Sequence, residues 1–208
     1  MKKLVVLGGG ESGIGAAALA KHNNWDVFVS DAGILTPSAK KEFEAIGVRY
    51  EEGGHTMNEI LKAELVVKSP GIPNTVAVIK SIEAAEISII SEIEFASNYT
   101  DATLIGITGS NGKTTTAMLT YHLLSDGGID TGLAGNIGNS FAQALLQDKH
   151  DVYVLEISSF QLEHIKKFHP HIAVITNLSP DHLDRYNNSF KDYCATKFKI
   201  TKNQTEED

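Results

Sequence analysis

Thr108-Gly109-Ser110-Asn111-Gly112-Lys113-Thr114-Thr115-Thr116 follows an apolar run, Leu104–Ile107, and leads into a helix-period segment, Thr114–Ser125. A glycine-rich turn between a buried strand and a helix gathers successive backbone N–H groups around an anion. Lys113 can offset β- and γ-phosphate charge, and the Thr114 hydroxyl can reach Mg²⁺. The candidate ATP-binding residues are therefore Gly109, Ser110, Asn111, Gly112, Lys113, Thr114 and Thr115. The longer general pattern has a glycine five residues before Gly112; that position is Ile107, so the loop has the shorter G-x-x-G-K-T form. The plain alternative is a lysine-bearing turn that binds nothing. A phosphate loop alone fits kinases, ATPases and ligases equally, so other residues must decide the reaction.

Outward from this loop, short apolar runs alternate with helix-period segments. Lys3–Leu7, Asp26–Ser30, Leu65–Lys68, Ser88–Ile90, Thr103–Thr108, Val152–Ile157 and Ile172–Thr176 read as buried strands. Ile14–His22, Ser38–Ile46, Thr114–Ser125 and Ser140–Gln147 read as helices. The alternation predicts βαβ units and parallel sheets, an α/β fold. A second glycine-rich strand-to-helix turn lies at residues 8–13. One doubly wound sheet rarely needs two such loops ~100 residues apart, since each sheet has one switch point where a ligand sits. Two domains are expected: a Rossmann-like domain over 1–93 and a P-loop-type α/β domain over 94–208, with Ser91–Asn98 as a helix leading from one to the other.

Gly8-Gly9-Gly10-Glu11-Ser12-Gly13 fits G-x-G-x-x-G, and Asp31 closes the next strand about 20 residues on. That is the dinucleotide fingerprint, in which glycines let the backbone approach a pyrophosphate at a helix N-terminus. A tight turn binding nothing is the alternative. Nicotinamide binding also competes, although ~95 residues are short for a full dinucleotide fold.

Bulk composition narrows the partners. With 42% hydrophobic residues in 208, a sizeable core can form. A net charge of -8 argues against a general nucleic-acid or anionic-membrane binder. The single cysteine, Cys194, allows no internal disulfide, which fits a reducing compartment. The apolar run after Met1-Lys2-Lys3 is too short for a signal peptide, so the cytoplasm is expected. The stretch Thr201–Asp208 is polar.

Downstream, polar groups gather at strand ends. Glu156 closes a strand, where a carboxylate can hold Mg²⁺. Ser158-Ser159-Phe160-Gln161-Leu162-Glu163 offers two hydroxyls and an amide; it equally suits a helix N-cap, with Ser158 or Ser159 capping and Glu163 assisting. Asp181-His182-Leu183-Asp184-Arg185-Tyr186 places charged groups in a loop after an apolar run, a poor core and a good site. Lys197 shares a helical face with Tyr193 and Ile200, and by residue type alone reads as a solvated or snorkelling lysine.

These motifs together resemble the Mur ligase family. T-G-S-N-G-K-T-T, G-N-I-G at 135–138, E-I-S-S-F-Q-L-E at 156–163 and D-H-L-D-R-Y at 181–186 occur in that family's order and spacing. S-S-F-Q-L-E, and Ser69-Pro70-Gly71-Ile72 after a strand, are similar to the branch that adds D-glutamate to UDP-N-acetylmuramoyl-L-alanine. The resemblance implies an ATP-dependent amide-bond ligase of cell-wall synthesis that works through an acyl phosphate with Mg²⁺. It implies that Thr114 and Glu156 hold one Mg²⁺, and that His182 and a CO₂-carbamylated Lys197 support a second. Lys113, His182 and Lys197 become the expected catalytic residues. Asn136, Ser158, Gln161 and His182 would meet the muramoyl-alanine end or the ions. Gly10, Glu11, Ser12, Gly13, Asp31, Ala32 and Gly71 would bind the UDP end. Some relatives carry Thr-Arg where this chain has Ala32-Gly33, so the uracil contacts are expected to differ. The family's third, C-terminal domain, which receives D-glutamate, is expected to be absent and the central domain incomplete. The 208 residues alone are then expected to lack ligase activity, and the full-length protein to be a monomer. Sibling ligases, a folylpolyglutamate synthase and a dehydrogenase-like dinucleotide module are the competing readings.

Overall fold

The computed structural model describes residues 2–206 and 208; Met1 and Glu207, near the ends of the two expected domains, lie outside the described residues. Five strands, β1 (Lys3–Leu7), β2 (Asp26–Ser30), β3 (Arg49–Glu51), β4 (Leu65–Lys68) and β5 (Ser88–Ile90), form one sheet in the order β3-β2-β1-β4-β5. All its pairings are parallel, with Leu4 opposite Val27 on one side and Leu65 on the other. Helices α1 (Glu11–His22), α2 (Pro37–Ala45), α3 (Met57–Ile60) and α4 (Ala77–Ala84) connect them, and α5 (Glu92–Ser97) follows. A second parallel sheet has β6 (Thr103–Thr108), β7 (Thr131–Gly135), β8 (Val152–Glu156) and β9 (Ile172–Ile175) in the order β7-β8-β6-β9. Helices α6 (Lys113–Asp126), α7 (Phe141–Gln147), α8 (Ser159–Leu162) and α9 (Phe190–Phe198) belong to this half.

Each sheet is buried on both faces, so its central strands are continuous apolar runs rather than alternating ones. Leu4, Val5, Val6 and Leu7 are all fully buried, as are Tyr153, Val154 and Leu155. Each such Val or Leu contributes about 1.5–3 kcal/mol on removal from water. In the first sheet the chain reverses direction of travel between β1 and β4, which opens a crevice beyond their carboxyl ends. The 8–13 loop leaves β1 and the Ser69–Ile72 loop leaves β4, so both border that crevice.

The two sheets share one apolar core. Ala16, Ala17 and Ala20 on α1 belong to the same buried cluster as Phe141, Ala142 and Leu145 on α7. Small residues on α1 make this close approach possible: a Cβ at Gly15 would lie 2.1 Å from Ser140 Oγ. Helix α5 spans the expected junction at 93/94 and contacts both α1 and α7. Its buried Glu94 accepts backbone N–H bonds from Lys166, Lys167 and Phe168 at 2.9, 2.9 and 2.7 Å. These fixed contacts set where the two glycine loops stand relative to one another.

Several element ends differ from the sequence expectation, by one residue in α2, α6 and α7 and most notably in α1. β8 ends at Glu156 rather than Ile157, β9 at Ile175 rather than Thr176, and α1 starts at Glu11 rather than Ile14. The glycine fingerprint therefore runs directly into the helix, with Gly10 as its N-cap.

Candidate active site

The loop after β6 is shaped by one glycine. Gly109 has φ +145, and a Cβ there would lie 2.0 Å from Thr176 Oγ1, so no side chain fits. Gly112 then adopts the left-handed conformation and caps α6 with no side-chain bond, which leaves the N–H groups of the first turn directed out of the helix. Lys113 Nζ curls over the loop, donating to the carbonyls of Gly109 and Ser110, each at 2.9 Å. Ser110 turns inward instead. Its hydroxyl donates to Ser179 O at 2.8 Å and accepts from Ser179 N–H at 2.9 Å, and its own N–H donates to Asn177 O. Asn111 N–H likewise donates to Asn177 Oδ1 at 3.1 Å. Ser110 and Asn111 thus tie the loop to the 177–179 segment, while Gly112 to Thr115 form the cap and first turn of α6.

Across from α6, Glu156 sits at the carboxyl end of β8 and is 2% exposed. Its Oε2 accepts from Thr114 Oγ1 at 2.6 Å, and its Oε1 from Asn136 Nδ2 at 2.8 Å. Among the described residues no group of three or more His, Cys, Asp or Glu side chains is arranged to enclose a metal ion. A hydroxyl beside a carboxylate, next to an uncapped helix N-terminus and a lysine, suits Mg²⁺ shared with phosphate oxygens, because Mg²⁺ takes few protein oxygens.

Beside this cluster lies a cavity of about 170 Å³ whose walls include Lys113, Asn136, Ser158, His182 and Lys197. Five of the expected catalytic and substrate residues therefore meet in one place. Lys197 is 2% exposed, which overturns its residue-type reading as a solvated lysine. Its Nζ donates to Gly109 O at 2.8 Å and stands 4.9 Å from the Tyr193 ring centroid. Burial, aided by the nearby Lys113 ammonium, pulls its pKa down to about 8. His182 is held at φ +49, an uncommon conformation for a non-glycine residue, and its ring lies 5.3 Å from that of Phe160.

Ser158 and Gln161 do not both face the cavity. Ser158 is the N-cap of α8, and Gln161 closes a capping box with it: Gln161 Oε1 accepts from Ser158 N–H at 2.9 Å and from Ser158 Oγ at 3.0 Å. Capping is thus realised with Gln161, three residues into the turn, in the role expected of Glu163. Glu163 instead pairs with Arg185 at 3.2 Å and Lys68 at 3.7 Å. Residue types alone gave no hint of that network, because its members are up to 117 positions apart, 185 against 68.

On the first sheet, Gly13 lies so close to Gly8 that a Cβ would meet Gly8 O at 1.9 Å, the tight strand–helix packing a fingerprint glycine allows. Asp31 organises the loop: its Oδ2 accepts from Gly9 N–H and its Oδ1 from Gly33 N–H, each at 2.7 Å. Gly10 and Glu11 line a groove of about 530 Å³ whose far wall includes Asn139 and Gln143 of the second half. Ser12, Ala32 and Gly71 lie outside that groove.

Comparison with known proteins bears on both halves. A Mur ligase MurD-like N-terminal domain matches residues 2–91, and a Mur ligase middle domain matches residues 107–208. The chain belongs to the Mur ligase family. Its Mur ligase relatives include the UDP-N-acetylmuramoylalanine–D-glutamate ligases of Christiangramia forsetii, 53% identical over 207 residues, and Bacteroides fragilis, 53% identical over 208. Both alignments cover all of this chain but only 46% and 47% of the relative, so the chain spans under half the length of these relatives. Among solved structures, the UDP-N-acetylmuramate:L-alanyl-gamma-D-glutamyl-meso-diaminopimelate ligase of Neisseria meningitides aligns over all of this chain and 69% of its own, with a TM-score of 0.65 and 23% identity. A UDP-N-acetylmuramate–alanine ligase from Thermotoga maritima aligns over 98% of this chain and 47% of its own, with a TM-score of 0.60 and 24% identity. At these identities the two structures attest the Mur ligase fold. The match over residues 2–91, which include the first glycine loop, is to a Mur ligase domain, which favours that reading over the dinucleotide module.

Proposed function

We propose that this chain is the sugar-nucleotide-binding and ATP-binding part of a ligase that joins D-glutamate to UDP-N-acetylmuramoyl-L-alanine, a cytoplasmic step of peptidoglycan synthesis. The observation that carries the reading is the meeting of Lys113, Asn136, His182 and Lys197 around one cavity beside the Thr114–Glu156 pair. Curated relatives at 53% identity bear the name of that ligase, which supports this branch over siblings and over a folylpolyglutamate synthase.

The chemistry follows from the arrangement. A carboxylate is a poor electrophile until one of its oxygens becomes a leaving group. The alanyl carboxylate attacks the γ-phosphorus of ATP; the new O–P bond forms as the bond to the β-phosphate oxygen breaks, and ADP leaves. The amine of D-glutamate then attacks the acyl carbon, the C–N bond forms, inorganic phosphate leaves and the amine gives up a proton. Lys113 and the first-turn N–H groups of α6 bind the β- and γ-phosphates. Thr114 and Glu156 would hold Mg²⁺, which supplies neutralisation of charge on the transferring phosphoryl group. Asn136 orients Glu156 through its amide, and Ser158 and His182 face the acyl end. Lys197, with its pKa pulled down to about 8, has a neutral amine fraction that could take up CO₂ with release of a proton, and the resulting carbamate would hold a second Mg²⁺. At the other end Gly10, Glu11 and Gly71 border the UDP moiety, with Asp31 shaping the loop.

The test is a chimera in which residues 1–208 replace the matching segment of the Christiangramia forsetii relative. Formation of UDP-N-acetylmuramoyl-L-alanyl-D-glutamate, abolished by Lys113→Ala, supports the reading. A folded chimera that couples a different amino acid, or none, contradicts it.

A further inference from the structure

Three consecutive carbonyls of the first half converge on one guanidinium of the second. Arg185 Nη2 donates to Pro70 O at 3.0 Å and Ile72 O at 2.7 Å, and Nη1 approaches Gly71 O at 3.4 Å. The same Nη2 meets Glu163 Oε2 at 3.2 Å, and the guanidinium carbon lies 4.8 Å from the Phe160 ring centroid. Lys68, buried at the end of β4, adds a second cation: its Nζ donates to Ile72 O at 2.7 Å. We propose that Arg185 is a positioning residue that fixes the Ser69–Ile72 loop against the Phe160 wall of the cavity, so that the sugar-nucleotide site and the phosphoryl-transfer site stand at one fixed separation.

The proposal rests on the function proposed above for its substrate, but its geometry stands independently. The Ser69–Ile72 loop borders the switch-point crevice of the first sheet, and Ser69 Oγ donates back to Gly8 O at 3.3 Å, tying it to the first glycine loop. Arg185 lies three residues after His182, in the 3-10 turn Leu183–Tyr186 that His182 precedes. Phe160 touches both, with its ring 5.3 Å from that of His182. A displacement of the guanidinium is therefore felt at the 69–72 backbone on one side and at the cavity wall on the other. The planar fork is what the site uses: it donates in several directions within one plane while its face covers an aromatic ring. Lysine, a point charge, can keep the pair with Glu163 but not the carbonyl array. Glu163, side chain nearly buried, supplies the one carboxylate among two cations and holds both in place.

The experiment compares wild type, Arg185→Lys, Arg185→Ala and Glu163→Gln in this chain. Two affinities are titrated, for UDP-N-acetylmuramoyl-L-alanine and for a non-hydrolysable ATP analogue with Mg²⁺. Backbone amide exchange is followed in residues 69–76. Arg185→Ala is expected to weaken sugar-nucleotide binding at least tenfold and Arg185→Lys about fivefold, with ATP-analogue affinity changed less than twofold. Exchange in 69–76 is expected to rise while β1 and β4 stay protected. Equal loss of both affinities, or unchanged sugar-nucleotide affinity in Arg185→Ala, overturns the proposal. If wild type binds no sugar nucleotide, the proposed function fails, and the exchange data decide the positioning role alone: unchanged exchange in 69–76 refutes it, and a selective rise upholds it.

Discussion

Thr114 and Glu156, forty-two residues apart, meet at 2.6 Å between the first turn of α6 and the end of β8. A hydroxyl and a carboxylate at that separation form a small hard-oxygen site beside the phosphate loop. Glu156→Gln keeps the shape and can still accept from Thr114, but removes the charge. The expected outcome is an ATP-analogue affinity that no longer responds to Mg²⁺, where wild type tightens about tenfold or more on its addition. Titrations with and without Mg²⁺ check this; an unaltered Mg²⁺ response in the variant would place the ion elsewhere.

Gly109→Ala tests the loop by sterics. The added Cβ would lie 2.0 Å from Thr176 Oγ1 and 3.2 Å from Asn177 N and O, at a φ of +145 that L-residues avoid. The strain is expected to lower stability by about 2 kcal/mol or more and to abolish ATP-analogue binding. Thermal unfolding and calorimetric titration read the two effects; an Ala variant that binds as wild type would mean that the loop opens to reach its working form.

Glu92 makes a pH prediction with a definite sign. It is 1% exposed on α5, accepts from Ala142 N–H through Oε1, and its Oε2 has no hydrogen-bond partner among the described residues. Burial raises its pKa to about 7, the Ala142 N–H and the neighbouring Ser140 side chain only partly offsetting the effect. The unfolded carboxyl titrates near the ordinary value of about 4.5, so between that pH and about 7 the folded chain binds more protons than the unfolded one. Its contribution to stability is full below about 4.5 and is lost as pH rises through about 7. Glu92→Gln is expected to flatten this decline and to stabilise the chain at pH 8 by on the order of 2 kcal/mol. Denaturant unfolding from pH 4.5 to 8 checks it; a variant with the wild-type slope would assign the pH dependence to other groups.

Much of this architecture was legible in the sequence because parallel strands buried on both faces leave unbroken apolar runs. Lys3–Leu7, Asp26–Ser30, Leu65–Lys68 and Ser88–Ile90 are strands over the very bounds their composition suggests. β3 and β7 were not expected. Arg49-Tyr50-Glu51 is short and mostly charged, and Thr131–Gly135 contains two glycines, so neither shows an apolar run. The phosphate loop was legible as a motif, but its division of labour was not. That Ser110 and Asn111 bond to the 177–179 segment depends on contacts more than sixty positions away. Lys197 carried no local sign of burial; the family resemblance alone singled it out. Arg185 was visible as one charge in a polar loop, while its partners Pro70, Gly71, Ile72 and Glu163 lie on other elements far from it in sequence.

In the proposed function, one chain holds a sugar-nucleotide site at the first glycine loop and an ATP site at the second. The most direct measurement is calorimetric titration of the chain with UDP-N-acetylmuramoyl-L-alanine, with NADH as the parallel ligand. Saturable one-to-one binding of the sugar nucleotide is expected, with no heat of binding with NADH. Binding of NADH with none of the sugar nucleotide would contradict it.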